Sequence, residues 1–310
     1  YICVPIFPVP GWIRTIIHTQ NKTAEHMKKA IISVTPDNPL IDELIDRAFE
    51  EDLGTGDATT NAIIDEQARG TATWQAKADG VVTGLNIAQR VFRRLDAGLE
   101  WSPAVEDGTA VESGQKLVSM QGKVRALLTA ERTALNIAQR MSGIATQTAR
   151  FVAEVKGLNT KILDTRKTMP GLRLLDKDAV AAGGGTNHRM GLYDSAMIKD
   201  NHIVAAGSIS KAIEKVRRQF PDLKIEVETT HIAQVEEALA AKADIIMLDN
   251  MAPPQMEEAV GRIGSGAKIE ASGNITIENV REVAETGVDY ISVGALTHSV
   301  QAFDISQTLT

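Results

Sequence analysis

Six short apolar runs follow one another in the second half of the sequence, and each ends in a charged, polar or glycine residue. They are KILDTRK from Lys161, SAMIKD from Ser195, KIEVET from Lys224, DIIMLDN from Asp244, KIEASGN from Lys268 and YISVGA from Tyr290. Their starts are 34, 29, 20, 24 and 22 residues apart, and most intervals contain a helical pattern. Repeated strand–helix units of this size build a parallel sheet with helices outside it.

An open, doubly wound sheet also fits these runs, but the residues at their ends favour a (β/α) barrel. Barrel strands bring their carboxyl ends to one mouth, where enzymes of this fold place their active sites. The residues concerned are Arg166, Lys167, Lys199, Glu228, Asp249, Ser272 and Gly294. Six strands are fewer than the eight of a complete barrel. The sequence therefore predicts an incomplete barrel.

The preceding part of the chain predicts a separate α+β domain. Asn38 as N-cap and Pro39 as the first helical residue begin an amphipathic helix. Between residues 70 and 126, the β-type runs GTATWQA, GVVTG and KLVSMQG alternate with turns, and one helix is predicted near residues 86–95. A long helical pattern then spans residues 129–155 and stops at Gly157.

Composition excludes several classes of protein. The single cysteine, Cys3, excludes an intrachain disulfide framework and fits a reducing, cytoplasmic compartment. There is no run of eighteen apolar residues, so no membrane span is predicted. The net charge of −7 argues against a nucleic-acid-binding surface and, taken alone, against anionic substrates. Residues 1–26 differ in composition from the rest of the chain, and we expect them to be an upstream extension.

The segment AAGGGTNHRMG lies between the first two barrel strands and is a candidate ligand loop. Three successive glycines, residues 183–185, would let backbone approach a ligand closely. The following His188 and Arg189 can both donate hydrogen bonds to an anion. The Gly-Lys-Ser/Thr ending of a P-loop is absent, so we expect an anion site of another kind.

Two carboxylates, Glu228 and Asp249, end neighbouring strands of the predicted barrel. Such a pair can bind Mg²⁺ together with substrate phosphates, take part in acid–base chemistry or stabilise a sugar cation. Structural ion pairing with Lys199 or Arg166 is an equally good explanation.

Two cations also have alternative explanations. Lys199 could be the Schiff-base lysine of an aldolase-like barrel. Arg132 follows Thr129 by three residues. If Thr129 is the N-cap, Arg132 lies in the first turn of the helix, where the helix dipole disfavours a cation. A cation in that place hints at a ligand contact. A helix that begins earlier would remove that hint.

Several longer segments resemble the quinolinate phosphoribosyltransferase family. They are ERTALNIAQRMSGIAT, ILDTRKTMPGLR, AAGGGTNHRMGLYDSAMIKDNH, IEVET, IIMLDN, EASGNI and ISVGALTHS, and EDLGTGDATT resembles the family's N-terminal segment. The resemblance covers about residues 38–310, in order, and residues 1–26 have no place in it. It implies transfer of phosphoribosyl from phosphoribosyl pyrophosphate to quinolinate with decarboxylation, giving nicotinate mononucleotide, pyrophosphate and CO₂ in NAD biosynthesis, with Mg²⁺.

The resemblance also implies the domain organisation and the assembly. It gives an N-terminal α/β sandwich over residues 27–138, which residues 297–310 rejoin, and an incomplete α/β barrel over residues 139–296. Dimers of the family place the N-terminal domain of one subunit over the barrel mouth of the other. We therefore expect a homodimer with shared active sites, possible further assembly, and neither nucleic-acid nor membrane partners.

The resemblance assigns residue roles by matching positions. The quinolinate carboxylates would be held by Arg132 of the partner subunit, Arg166, His188, Arg189 and Lys199. The catalytic residues would be Lys167, which reaches both substrates, with Glu228 and Asp249, which serve the ribose and contact Mg²⁺ directly or indirectly. Substrate or phosphate would be held through short side chains and backbone N–H groups by Thr165, Ser272, Gly273, Asn274, Val293, Gly294 and Ala295.

One departure and two alternatives accompany the resemblance. Asn274 stands where many family members have glycine, and asparagine tolerates a positive φ. A paralogous phosphoribosyltransferase for another acidic heterocycle, of the kind associated with molybdenum transport, is the nearest alternative. A non-enzymatic carrier is suggested by DGTAVESGQKLVSMQG, which resembles a lipoyl-type half-domain, although no lysine lies at a clear hairpin tip.

Overall fold

The computed structural model describes residues 38–310, and the predicted upstream extension and Cys3 lie outside them. Helix α1, Pro39–Leu53, begins where predicted, because the Asn38 side chain accepts a hydrogen bond from the Leu40 N–H at 3.0 Å. The buried face of this helix consists of Ile41, Ile45 and Phe49. Within residues 38–310, no helix is both long and apolar enough to span a bilayer.

The N-terminal domain continues with short strands around one helix. Its elements are α2 (Ala58–Ile63), β1 (Arg69–Ala76), β2 (Gly80–Val82), α3 (Leu85–Leu95), β3 (Glu100–Pro103), β4 (Thr109–Val111) and β5 (Lys116–Lys123). The three predicted β-type runs and the helix are confirmed. Strands β3 and β4 were not predicted from the sequence.

Two helices, α4 (Val124–Thr129) and α5 (Glu131–Glu154), follow each other with no break in the helical path. Ala130 between them has φ −81° and ψ −17°, and its N–H donates to the Ala126 carbonyl at 3.0 Å. Thr129 is therefore not an N-cap, because the helical path begins earlier, at Val124. The Thr129 hydroxyl instead donates to Asp57 Oδ2 at 3.0 Å, and the dipole-based hint at a ligand of Arg132 disappears.

The barrel domain follows the predicted strand–helix alternation. Its elements are β6 (Lys161–Leu163), α6 (Arg173–Ala182), β7 (Ala196–Ile198), α7 (Asp200–Ala206), α8 (Ile209–Gln219), β8 (Ile225–Thr229), α9 (Ile232–Ala240), β9 (Ile245–Asp249), α10 (Pro253–Ile263), β10 (Lys268–Ser272), α11 (Val280–Glu285), β11 (Tyr290–Ser292) and α12 (Ala295–His298). All six predicted strands are confirmed.

The six barrel strands form one parallel sheet in the order β6-β11-β10-β9-β8-β7. At the β6 edge, the described pairing is extended by a single parallel bridge between Leu163 and Thr186. No ladder among the described residues joins β6 to β7, so the barrel is incomplete, as predicted. All six carboxyl ends lie at one edge, where the candidate site residues follow.

The chain returns to the N-terminal domain after the barrel. Strand β12, Ile305–Leu309, pairs antiparallel with β1, and the larger N-terminal sheet has the order β12-β1-β5-β3. The Trp74 indole of β1 donates to Gln307 Oε1 of β12 at 2.8 Å. Trp74 also packs edge-on against Phe92 and Trp101, with ring centroids 5.9 and 6.2 Å away. These aromatic rings anchor the core of the N-terminal domain.

Candidate active site

The predicted cations and carboxylates follow the carboxyl ends of the barrel strands. Arg166 and Lys167 come after β6, and Lys199 comes directly after β7. Glu228 is the second-to-last residue of β8, and Asp249 is the last residue of β9. Because the strands are parallel, these side chains belong to one mouth.

Arg166 and Arg189 form a cationic pair in this mouth. The Arg189 guanidinium donates to the Ser195 carbonyl at 3.0 Å. Burial lowers the pKa of Arg189, and the neighbouring charge of Arg166 lowers that pKa further. The Nε of Arg166 is buried without a hydrogen-bond partner. Two partly buried guanidiniums close to each other make a site whose electrostatics improve when an anion binds.

His188 extends from the same loop into the barrel interior. Its Nε2 lies 3.1 Å from Glu226 Oε2 and 3.3 Å from Glu270 Oε2. Burial by itself would lower the pKa of His188, but the hydrogen bonds and charges of Glu226 and Glu270 outweigh it and raise this pKa to about 10. The two carboxylates beneath the ring therefore favour a proton on Nε2.

Glu226 and Glu270 were not among the predicted site residues. Both are essentially wholly buried, with 0% and 1% of their surface exposed. Side chains alternate along a strand, so Glu226 shares a face with Glu228, and Glu270 shares a face with Ser272. A carboxylate two residues before a predicted site residue, inside an apolar strand, was the signal that could have identified them.

The two predicted catalytic carboxylates have different surroundings. Glu228 forms an ion pair with Lys199, so the structural pairing considered for this position is present. Asp249 accepts a hydrogen bond from the Asn250 side chain at 2.9 Å. Both groups present carboxylate oxygens to the mouth, which are the ligands that Mg²⁺ takes together with substrate phosphates.

Lys167 lies across the start of helix α12. A Cβ on Gly294 would lie 3.1 Å from Lys167 Cδ, so the missing side chain leaves room for this lysine. Thr165 Oγ1 accepts from the Lys167 N–H at 3.0 Å. The N–H of Val293 donates to the Leu163 carbonyl at 2.9 Å, so this amide is already engaged. The next amides, of Gly294 and Ala295, begin a helix, where N–H groups have no intrahelical acceptor.

The turn after β10 contains the predicted Ser272, Gly273 and Asn274. Gly273 has φ +96° and Asn274 has φ +51°, so the expected tolerance of asparagine for a positive φ is confirmed at this position. The Asn274 side chain donates to Asn250 Oδ1 at 2.9 Å. That hydrogen bond links the turn after β10 to the turn after β9, beside Asp249.

Two glycines of the candidate ligand loop, Gly183 and Gly185, have a packing role that was not predicted. A Cβ on Gly183 would lie 2.4 Å from the Ala145 carbonyl oxygen, and one on Gly185 would lie 2.7 Å from Val180 Cγ1. The space beside these two glycines is thus filled by helices α5 and α6. Gly183 and Gly185 bring the loop close to its own scaffold, and close approach of the loop backbone to a ligand stays a prediction.

Arg132 is exposed on the first turn of α5, in the N-terminal domain. Its charge lowers the pKa of the adjacent Glu131, against the larger raising effect of burial. Among the described residues, no hydrogen bond or ion pair joins Arg132 to the barrel mouth. The structure of one chain therefore leaves this predicted substrate contact apart from the others.

An incomplete (β/α) barrel with clustered cations and two carboxylates at its mouth defines an enzyme of the barrel-type phosphoribosyltransferase class. The family descriptions that match are "Quinolinate phosphoribosyl transferase, N-terminal domain" over residues 57–142 and "Quinolinate phosphoribosyl transferase, C-terminal domain" over residues 144–308. Together they account for most of the chain. The chain belongs to the quinolinate phosphoribosyltransferase family.

Named relatives and solved structures agree with this assignment. A "Probable nicotinate-nucleotide pyrophosphorylase [carboxylating]" of Synechocystis is 45% identical over 260 residues, 83% of this chain and 88% of that protein. "Quinolinate phosphoribosyltransferase [decarboxylating] 1b" of Nicotiana tabacum is 43% identical, covering 94% of this chain and 89% of that protein. The crystal structure of NadC from Streptococcus pyogenes is 43% identical with a TM-score of 0.86, covering 90% of this chain and 98% of that one.

The family assignment decides between the functional classes left open by the sequence. The chain is an enzyme, a pentosyl-transferring one of NAD biosynthesis, and the carrier alternative is excluded. The aldolase alternative is also opposed by the geometry. The Nζ of Lys199 is engaged by the Glu228 carboxylate, whereas a Schiff-base lysine must present its nitrogen to a carbonyl.

Proposed function

We propose that this barrel mouth performs the reaction of the family, the transfer of phosphoribosyl from phosphoribosyl pyrophosphate to quinolinate with decarboxylation. The observation that carries the proposal is the partly buried cationic pair of Arg166 and Arg189. The Nε of Arg166 has no hydrogen-bond partner in the described structure. A dicarboxylate is the complementary ligand, because each guanidinium can bind one carboxylate with two hydrogen bonds.

Quinolinate is held in this proposal by cations from three directions. Arg166 binds from the end of β6, and Arg189 and Lys199 bind from the β7 side. His188 contributes positive charge from the barrel interior, where Glu226 and Glu270 keep its ring protonated. Hydrogen bonds to charged groups contribute ~1.5–3 kcal/mol each, so losing one cation weakens binding severely.

Phosphoribosyl pyrophosphate lies on the other side of the mouth. Lys167 contacts both substrates, while Thr165, the turn from Ser272 to Asn274, and residues 293–295 hold substrate or phosphate with short side chains and amides. Val293 contributes through shape alone, because its N–H already donates to Leu163.

The chemical steps follow from the charges in the mouth. Pyrophosphate leaves from the ribose carbon, positive charge develops on the sugar, and the pyridine nitrogen of quinolinate attacks that carbon. Glu228 and Asp249 stabilise the developing positive charge. Loss of CO₂ then leaves the bonding electron pair on the adjacent ring carbon, where the positive charge of the quaternised nitrogen stabilises it, and a proton from water completes the ring C–H of nicotinate mononucleotide.

Mg²⁺ fits the donor set at this mouth, because Glu228 and Asp249 offer carboxylate oxygens and phosphate supplies the remaining ligands. When bound, the ion offsets the negative charge of the departing pyrophosphate. Glu228 also keeps Lys199 in place through their ion pair, so contact of Glu228 with the metal through water is consistent with the structure.

A homodimer with shared active sites is part of the proposal. Four apolar side chains are exposed around the mouth, at Met169, Leu192, Tyr193 and Val204, with 50%, 72%, 48% and 81% of their surfaces accessible. Exposed apolar groups around a functional opening are typical of protein interfaces. The N-terminal domain of the second subunit would cover them and supply Arg132 of the partner subunit. The cytoplasmic location stays a prediction.

The reaction is tested by incubating purified protein with quinolinate, phosphoribosyl pyrophosphate and Mg²⁺ while measuring nicotinate mononucleotide and CO₂. We expect both products in equal amounts. A folded protein that makes neither would overturn the proposal. Turnover of another acidic heterocycle, with quinolinate inert, would assign the chain to the paralogous activity instead.

A further inference from the structure

A buried ion pair between Asp164 and Lys177 lies directly beneath the ligand loop. Asp164 follows β6, Lys177 lies in α6, and their side chains are 0% and 1% exposed. Burial lowers the pKa of Lys177 and raises that of Asp164, and in each case the partner's charge opposes the effect. Each group thus depends on the other to remain charged. Buried ion pairs add little stability compared with apolar residues of the same size, so this one calls for another reason.

The ion pair holds the backbone of His188 on both sides. Asp164 Oδ1 accepts from the His188 N–H at 2.8 Å, and Lys177 Nζ donates to the His188 carbonyl at 3.0 Å. The Asn187 amide, oriented with its nitrogen inward, donates to Asp164 Oδ2 at 2.7 Å and to the Lys177 carbonyl at 2.8 Å. Residues 187 and 188 are therefore fixed to a single pair of charges.

The same helix holds the neighbouring parts of the mouth. Arg173, one turn before Lys177, donates to the Met190 carbonyl at 3.0 Å and to Thr168 Oγ1 at 3.1 Å. Asp176 accepts two hydrogen bonds from Arg140, each at 2.8 Å. Helix α6 is thus a rigid support from which polar side chains reach the loops on either side of Arg166 and Arg189.

We propose that Asp164 and Lys177 are positioning residues that fix His188 and Arg189 for binding the carboxylates of the substrate. This inference rests on the proposed function and deepens it. Neither residue touches the substrate. The pair instead restricts where the His188 ring and the Arg189 guanidinium can lie, and its loss weakens quinolinate binding more than it weakens binding of the sugar donor.

The test compares the single variants Asp164→Leu and Lys177→Met with the double variant. Each single variant leaves an unpaired buried charge, whereas the double variant removes both. We expect the double variant to be more thermally stable than either single variant. We expect its KM for quinolinate to rise at least tenfold, with less than a threefold change in KM for phosphoribosyl pyrophosphate. The matched control is Asp46→Asn with Arg94→Gln, an exposed ion pair that should change neither constant.

A stable double variant with an unchanged KM for quinolinate would overturn the inference. If the double variant does not fold, Asp164→Asn decides, with amide hydrogen exchange at His188 as the readout. We expect that amide to be protected in the wild-type protein and to exchange at least tenfold faster in Asp164→Asn, while the β8 amides stay protected. Unchanged protection would refute the positioning role. Wild-type turnover in the same assays shows separately whether the proposed function holds.

Discussion

The charge on His188 depends on two buried carboxylates, and Glu226→Gln removes one of them with almost no change in shape. The difference between a pKa of about 10 and the ordinary 6.5 corresponds to ~5 kcal/mol in favour of the protonated ring. Because burial opposes this shift, the two carboxylates together supply more than that amount, and because the two Nε2-to-oxygen distances, 3.1 and 3.3 Å, are nearly equal, each supplies at least ~2–3 kcal/mol. Glu226→Gln should therefore bring the pKa of His188 into the range in which ordinary buffers titrate it.

The assay is a pH titration of the histidine ring signals by NMR, with His188→Gln used to assign the resonance. In the wild-type protein, we expect His188 to remain protonated from pH 6 to 8.5. In Glu226→Gln, it should lose its proton as the pH rises within that range, and the KM for quinolinate should increase in parallel because a cation is lost. The exposed Glu282→Gln is the matched control and should behave like the wild type.

A contact at the second ring nitrogen of His188 shows which NMR result would refute a charged ring. The Arg189 backbone N–H lies 2.7 Å from Nδ1 of His188, and a nitrogen that accepts a hydrogen bond carries no proton. If NMR shows Nδ1 unprotonated at pH 7 in the wild-type protein, the ring is neutral. The proton would then reside on one of the two glutamates, and His188 would contribute no positive charge to the mouth.

Three other parts of the molecule can be tested by substitution. Lys167→Ala should abolish turnover, and Arg132→Ala should chiefly raise the KM for quinolinate. Mixing these two variants should restore part of the activity if the two subunits share active sites. No recovery of activity in proven heterodimers would contradict shared sites. Burial, with a smaller effect of Asp107, raises the pKa of Asp178 to about 6. Because the folded protein holds this proton more tightly than the unfolded chain does, the free energy of unfolding falls as the pH rises from 3.8 through 6. Asp178→Asn should therefore raise Tm by a few degrees at pH 7.5 and not at pH 4, and an equal shift at both would refute this. Gly143→Ala should lower Tm strongly, because a Cβ there would lie 2.1 Å from a backbone oxygen of the C-terminal segment; a wild-type Tm would show that this segment moves freely.

Much of the barrel could be predicted because buried parallel strands are continuous apolar runs with a polar residue at the end. The runs beginning at Lys161 and Lys268, for example, are strands from their first residue. Strands β3 and β4 were not predicted because they are three or four residues long and one ends in Pro103. Their place is set by pairing with distant strands, which a local pattern does not contain.

The site was predictable where a residue follows its strand and unpredictable where its partner is distant in sequence. The places of Glu228 and Asp249 at the carboxyl ends of their strands could be predicted from the sequence, and their catalytic roles stay predictions. Lys177 could not, because a lysine on an amphipathic helix ordinarily faces solvent. Its burial depends on Asp164, thirteen residues earlier, meeting it beneath a loop. The start of helix α5 could not be decided from the sequence, because a threonine before a long helical pattern is a normal capping signal and only the fold shows that helix α4 runs into α5.

The pairing of β12 with β1 sets an order for biosynthesis. β1 is an interior strand of its sheet, yet its neighbour on one side is made only after the whole barrel has been translated. Until then, a half-finished N-terminal domain leaves the ribosome with an open strand edge, which is a site for aggregation. A chaperone that covers nascent strands, or rapid folding of the barrel, would protect this edge. Mutations that slow barrel folding would then reduce the yield of protein even where they leave the finished enzyme intact.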